Sequence, residues 1–212
     1  MTGNNDVHTI TNIIDNRRGG SMKVVGFNGS PRKEGNTYHA ITAVFRELEK
    51  EGIETELVQL GSAEIKGCRA CYKCFEKKNR RCIQDDSLNP FIEKMVESDG
   101  IIIGSPTYFS NVSTEVKALI DRAGLVARAN DYLLKRKVGA AVVAARRAGA
   151  THVYSSINFF FGIGQMIIPG SSYWNLAIGR DPGDILKDDE GMATFRDLGQ
   201  NMAWLLKKLY AD

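Results

Sequence analysis

The chain has 212 residues, 43% of them hydrophobic and 25% charged, which suits one soluble α/β domain with a full core. A net charge of +3 with no concentrated basic stripe argues against a nucleic-acid partner, and no apolar stretch reaches the roughly 18 residues of a membrane span. The N-terminus lacks the apolar core of a secretory signal, so the expected compartment is the cytoplasm.

Residues 1–21 are polar and end in Arg17-Arg18-Gly19-Gly20, which reads as a flexible leader outside the fold, with Met22 a candidate start. Ile10, Ile13 and Ile14 would make one amphipathic turn only against a neighbour, and disorder is the expected state. From Met22 on, strands and helices alternate through a domain spanning 22–212. Val24–Asn28 predicts a buried strand. Thr37–Glu51 predicts a helix, with Ala40, Val44, Phe45 and Leu48 on one face and Gly52 ending it. Thr55–Leu60 is a second strand. Gly61–Asp86 is a long polar connection that holds all four cysteines, with the cysteine-rich insertion at about 66–86. Helices are expected at Leu88–Glu97, Thr114–Ala127, His152–Phe161 and Gly191–Leu209. Strands are expected at Gly100–Ile103 and Lys137–Ala145, with a last one within Met166–Ala177. Regular β-α repetition implies a parallel sheet covered on both faces. Five strands at this size suggest a flavodoxin-like three-layer sandwich with strand order 2-1-3-4-5, in which a ligand sits at the carboxyl ends of the strands where the order reverses.

The loop at that reversal is Gly29-Ser30-Pro31-Arg32-Lys33-Glu34-Gly35-Asn36-Thr37. Unpaired N–H groups and the dipole at a helix start favour an anion there. Ser30 and Thr37 add hydroxyls, Asn36 an amide and Arg32 a fixed positive charge. The run has neither the Gly-Lys-Ser/Thr ending of a triphosphate loop nor G-x-G-x-x-G, so a single terminal phosphate, as on FMN, suits it best. After the third strand comes Gly104-Ser105-Pro106-Thr107-Tyr108-Phe109-Ser110-Asn111-Val112. Pro106 is expected to force a turn. Tyr108 and Phe109 offer a flat surface beside a flavin ring, and Asn111 with nearby N–H groups suits the ring's polar edge. The competing reading is a turn with two ordinary core aromatics. The loop Ala145–Thr151, with Arg146 and Arg147, would finish the site, take an anionic donor such as the phosphate of NADPH, or be a solvated turn. His39 and His152 lie near these loops and are expected on helix faces or in solvent.

Cys68, Cys71, Cys74 and Cys82 form C-x2-C-x2-C-x7-C. Disulfides are disfavoured in a reducing compartment. Zinc usually takes two separated pairs, whereas three thiols in one tight turn with a fourth slightly later is the arrangement of an iron–sulfur ligand run. The fourth cysteine lies further on than in the bacterial ferredoxin run, so [4Fe–4S], zinc, redox-active thiols and ordinary thiols all remain readings of the residues alone. Lys66, Arg69, Lys73, Lys77, Lys78, Arg80 and Arg81 crowd the segment. They would offset the negative charge of a cluster and attract an acidic electron-transfer partner, or simply form a solvated basic loop.

Gly29-Ser30-Pro31-Arg32-x-x-Gly35-Asn36-Thr37, the compact cysteine run, Gly104-Ser105-Pro106-x-Tyr108-Phe109 and Lys117-x-x-Ile120-Asp121-Arg122 together resemble the iron–sulfur flavoprotein family, within the NAD(P)H-dependent FMN reductase group. The likeness runs over nearly all of Met22 to Leu209. It implies FMN held by Ser30, Arg32, Asn36 and Thr37 at the phosphate and by Pro106, Thr107, Tyr108, Phe109, Ser110 and Asn111 at the ring. It implies homodimers or homotetramers. The expected function is an FMN-dependent oxidoreductase moving electrons between NAD(P)H or a ferredoxin-type carrier and a small acceptor such as a flavin or quinone, with a [4Fe–4S] cluster on the four cysteines as an intermediate carrier. Hydride transfer to FMN needs no general base, so no catalytic acid or base is named. The alternatives are an electron carrier like flavodoxin, against which the basic charge argues, a cluster-free FMN or quinone reductase, and a zinc-stabilised regulatory module without flavin.

Overall fold

A computed structural model of the chain describes residues 21–210. All of the expected leader except Ser21, its three isoleucines included, lies outside the described residues. Five parallel strands form one sheet in the order β2-β1-β3-β4-β5: β1 Lys23–Asn28, β2 Glu54–Gln59, β3 Gly100–Pro106, β4 Val138–Ala145 and β5 Leu176–Ile178. The helices are α1 Asn36–Lys50, α2 Lys73–Lys77, α3 Leu88–Glu97, α4 Thr114–Ala129, α5 Ala150–Ile163 and α6 Asp189–Tyr210, with a 3-10 turn at Asp184–Lys187. The short α2 and the 3-10 turn are the two elements the sequence pattern does not announce.

Alternation along the central strands builds two cores. Ile101 and Ile103 of β3, with Ala141, Val143 and Ala145 of β4, face α3, α4 and α5. Ile102, with Val138, Ala140 and Val142, faces α1 and α6. A period of two puts successive side chains on opposite faces, so near-continuous apolar runs are what a sheet covered on both sides requires. Under α1 the sheet carries Gly26 and Gly104, where a Cβ would lie 2.8 Å and 2.7 Å from Ile41 side-chain atoms. The missing side chains let α1 settle directly onto β1 and β3.

Strand β3 runs three residues beyond its expected end. Pro106 is not a turn: it closes the strand opposite Ala144. Its position explains the tolerance. Thr107 N–H donates to Ala144 O at 2.9 Å, so the alternate residue Pro106 turns its nitrogen away from β4, toward the side where β1 has already ended at Asn28 opposite Gly104. The fifth strand also differs. The chain first touches β4 at Ile167, bridged to Val138, and then leaves through Pro169-Gly170. It returns as Leu176–Ile178 beside Val143–Ala145.

Candidate cofactor site and cysteine segment

The carboxyl ends of β1 and β2 shape the first loop with their own polar residues. Asn28 and Gln59 stand in register. Asn28 Nδ2 donates to Gln59 Oε1 at 2.8 Å and to Lys33 O at 3.3 Å, while its Oδ1 accepts from Ser30 N–H at 3.1 Å. Gln59 Nε2 donates to Ser30 O at 2.7 Å, and Ser30 Oγ accepts from Arg32 N–H at 3.1 Å. Gly29 N–H bonds Gly104 O at 2.9 Å, tying the loop to β3. Gly61 backs it so closely that a Cβ there would sit 2.2 Å from Ser30 C and O. Helix α1 then opens from Gly35 with no side-chain cap and no acidic residue in its first turn. Its first N–H groups are therefore presented for an outside acceptor, next to the hydroxyls of Ser30 and Thr37, which are 5% and 1% exposed. Sequence reasoning named Ser30, Arg32, Asn36 and Thr37, but not the Asn28–Gln59 pair that holds them. The available signal was one polar residue at the end of each neighbouring strand.

Ser110 and the β4 loop meet at the second wall. Tyr108 and Asn111 exchange N–H···O bonds of 3.0 Å and 2.9 Å around a two-residue turn whose central residues, Phe109 and Ser110, have φ of +48° and +60°. Phe109 is fully exposed and Tyr108 half exposed. Their exposure removes the reading of two core aromatics. Thr107 Oγ1 donates to Ala144 O at 3.2 Å, and Asn111 Oδ1 accepts from Val112 N–H at 2.9 Å, leaving the Asn111 amide nitrogen outward. Gly149, at φ +85°, starts α5 without a side-chain cap, and a Cβ on it would lie 2.4 Å from Ser110 Oγ. Thus the β3 and β4 loops touch; Arg146 and Arg147 are exposed beside them.

The turn after β5 joins the site from the other side. Arg32 Nη1 reaches Arg180 O and Ile185 N–H reaches Asn36 Oδ1, both at 3.5 Å. Asn36 thus turns its carbonyl oxygen toward the 3-10 turn. This contribution was missed because the fifth strand was expected to end by Ala177; the signal was Gly179-Arg180-Asp181-Pro182-Gly183. A cavity of about 250 Å³ lies against this turn, lined by Asp184 and Lys187 of the 3-10 turn with Tyr173, Leu176, Ile178 and Thr194; none of its lining residues comes from the loops after β1, β3 or β4.

The cysteine segment is folded against α4. Cys68 and Cys71 are exposed, Cys74 is buried at the start of α2, and Cys82 is partly buried against the core. Burial pushes the Cys74 thiol up from its ordinary range. Among the described residues no group of three or more Cys, His, Asp or Glu side chains is gathered in metal-holding geometry. The segment is nevertheless clamped. Lys66 N–H donates to Asp86 Oδ2 at 3.0 Å, Gln84 Nε2 to Gly67 O at 3.1 Å and Arg80 N–H to Asn130 Oδ1 at 3.1 Å. Asn89 holds both main-chain groups of Cys82, at 2.8 Å and 3.0 Å. Ala70, Tyr72, Lys78 and Arg80 all have positive φ, backbone that ordinary residues adopt only when their surroundings impose it. Fully buried Arg122 pairs with Asp86 through both Nη atoms and donates to Lys66 O at 2.9 Å. Burial opposes the guanidinium's charge, but Asp86 and the Cys82 sulfur more than restore it, so it is held above its ordinary value. Four thiols on one clamped, cation-rich segment have the ligand chemistry of an iron–sulfur group, although the described structure does not draw three of them together.

A family model described as NADPH-dependent FMN reductase matches residues 22–181. An iron–sulfur flavoprotein of Methanocaldococcus jannaschii is 38% identical over 193 residues, covering 88% of this chain and 98% of its own. Those of Archaeoglobus fulgidus and Methanosarcina thermophila are 36% and 34% identical, each over 88% of this chain and over 92% and 96% of theirs. Among solved structures, RosB with a bound riboflavin-phosphate derivative superposes with a TM-score of 0.67 at 20% identity, over 89% of this chain and 80% of its own. The NAD(P)H:quinone oxidoreductase of Methanothermobacter marburgensis superposes with a TM-score of 0.64 at 15% identity, over 86% and 97%. These structures show the shared flavodoxin-like fold. The sequence matches go further: the chain belongs to the NADPH-dependent FMN reductase family, and within it to the iron–sulfur flavoproteins.

Proposed function

We propose that this protein is an FMN-dependent oxidoreductase that passes electrons from NAD(P)H or a ferredoxin-type carrier to a small acceptor, a flavin or quinone. The observation that carries the reading is the start of α1: an uncapped helix over buried Ser30 and Thr37, at the reversal of strand order. There the N–H groups of α1 and the Thr37 hydroxyl donate to the FMN phosphate, Asn36 Nδ2 adds a third kind of donor, and Arg32 supplies the charge. Pro106 and Thr107 fix the floor of the ring site through β4. Tyr108 and Phe109 flank the ring, and Ser110, Asn111 and the N–H groups between them bond its edge. Bound FMN supplies hydride acceptance and release of electrons singly or in pairs. Exposed Arg146 and Arg147 are placed to attract an anionic donor at the open side. Cys68, Cys71, Cys74 and Cys82 would hold a [4Fe–4S] cluster, which supplies one-electron carriage to an external partner. The surrounding lysines and arginines favour an acidic one. The assembly proposed is a homodimer or homotetramer.

An anaerobic visible spectrum with flavin, iron and sulfide counts tests the cofactors together. Flavin bands with stoichiometric iron and sulfide are expected; colourless protein that takes up no FMN overturns the reading. Steady-state oxidation of NADPH or NADH separates a reductase from a pure electron carrier. Asn36→Ala with Thr37→Ala should weaken FMN binding by a few kcal/mol, at about 1.5–3 per charge-assisted hydrogen bond. An unchanged flavin titration removes the phosphate assignment.

A further inference from the structure

A cradle for an anion has to present N–H groups and withdraw carbonyl oxygens, because an oxygen aimed at a phosphate repels it. In the loop after β1, two side-chain amides do the withdrawing. Asn28 closes β1 and is fully buried; Gln59 closes β2 and is half-buried. Gln59 Nε2 donates to the Ser30 oxygen at 2.7 Å, and Asn28 Nδ2 to the Lys33 oxygen at 3.3 Å. A third loop oxygen, that of Arg32, accepts from Gly35 N–H at 3.2 Å.

Neither amide can be turned over. Asn28 Oδ1 accepts from Ser30 N–H at 3.1 Å, and a main-chain N–H only donates. Gln59 Nε2 faces a main-chain oxygen, which only accepts. The 2.8 Å bond from Asn28 Nδ2 to Gln59 Oε1 then joins the two amides in one sense alone. Asn28 also fastens what lies behind the loop: its main-chain oxygen accepts from Leu60 N–H and Gly61 N–H, both at 3.0 Å, and Gly61 is the residue that backs Ser30. The bonds of both amides run to the main chain of the loop, and none reaches the side chains of Arg32, Asn36 or Thr37.

We propose that Asn28 and Gln59 are positioning residues that give this site its preference for a phosphorylated flavin: they hold the Ser30 and Lys33 oxygens away from the phosphate and so keep the loop a cradle of donors. This role rests on the phosphate assignment of the first loop. Without the Gln59 amide, the Ser30 oxygen is free to turn toward the anion, and the main chain that carries Ser30 Oγ loses its fixed place. Both effects fall on the phosphate and spare the ring, which the β3 loop holds.

Gln59→Leu keeps the size of the side chain and adds no charge. Flavin-free protein is titrated with FMN and, separately, with riboflavin, which lacks the phosphate. The variant should bind FMN on the order of 10-fold more weakly and riboflavin within about 2-fold of wild type, so the ratio of the two dissociation constants collapses. Asn111→Ala, at the ring site, should weaken both ligands alike and keep the ratio. A Gln59→Leu protein with the wild-type ratio overturns the proposal, whether both affinities stand or both fall. A second measurement needs no variant. In flavin-free wild-type protein the Asn28 side-chain NH2 should be protected from hydrogen exchange, since its bonds exist before any flavin arrives. Exchange as fast as that of exposed Asn79 overturns the preformed cradle. Wild-type protein that takes up no FMN defeats the flavin reading itself, and equal affinity for FMN and riboflavin defeats the phosphate assignment. An unchanged ratio in Gln59→Leu, when wild type does prefer FMN, defeats only the role given to the two amides.

Discussion

Phe109 holds a large side chain at φ +48°, in backbone that glycine adopts without cost. No described residue covers its ring, so packing among them does not compensate the strain. At the rim of the proposed flavin site, contact with a bound ring is the explanation that the proposal offers for this strained, exposed aromatic. Phe109→Gly should therefore stabilise the flavin-free protein by about 1 kcal/mol in urea denaturation while weakening FMN in a fluorescence titration. If both quantities fall, the turn is structural. Gly61 makes the opposite case. Any side chain there meets the main chain of Ser30, so Gly61→Ala should cost about 1–3 kcal/mol of stability by overpacking. It should also lower flavin affinity, because the displaced atoms belong to the proposed phosphate loop. Wild-type values for both would show that the loop yields without consequence.

Between elements, Glu56 of β2 links three pieces of the fold. It accepts from Lys23 of β1 at 2.6 Å and from Lys94 of α3. The hydrogen bond from Lys23, then that from Lys94, hold the Glu56 carboxyl below the ordinary glutamate range, against a desolvation penalty that would raise it. A carboxyl depressed in the folded state stabilises that state above its unfolded pKa, and the contribution fades as pH falls through the folded value. Glu56→Gln should thus cost about 0.5–1 kcal/mol at neutral pH, modest because the group is partly solvated. The cost should disappear in strong acid, where the wild-type carboxyl is itself protonated. Denaturation midpoints of the two proteins against pH check this; a constant gap would show that the ion pairs contribute nothing.

For the molecule as a whole, the face built by α1 and α6 depends on close approach. Gly199 of α6 leaves room for only a hydrogen: a Cβ would lie 2.7 Å from Glu47 Cβ and 2.9 Å from Val44 O. Helix propensity alone would make alanine better here by about 1 kcal/mol. The packing reverses that sign. Gly199→Ala should be net destabilising, since overpacking costs about 1–3 kcal/mol, and chemical denaturation reads the outcome directly. A stabilised variant would mean that α6 sits more loosely on α1. No helix among the described residues is long and apolar enough to cross a membrane.

Local chemistry by itself determined the strand order, the loop that closes the first strand and the cysteine spacing. Apolar runs such as Ile101–Ile103, glycine-rich strand ends and C-x2-C-x2-C-x7-C state their preference within a few residues, and those preferences survive folding. Three features were decided only by tertiary structure. The turn after β5 reaches Asn36 across a separation of 149 residues. Arg122 closes the cysteine segment through partners 56 and 36 positions away. Pro106 continues β3 instead of ending it, because β1 stops beside it and asks for no N–H. Each depends on which strand ends the twisted sheet brings together. A buried donor or a spare carbonyl finds its partner only once that sheet exists, so no short window of sequence could have named the pair.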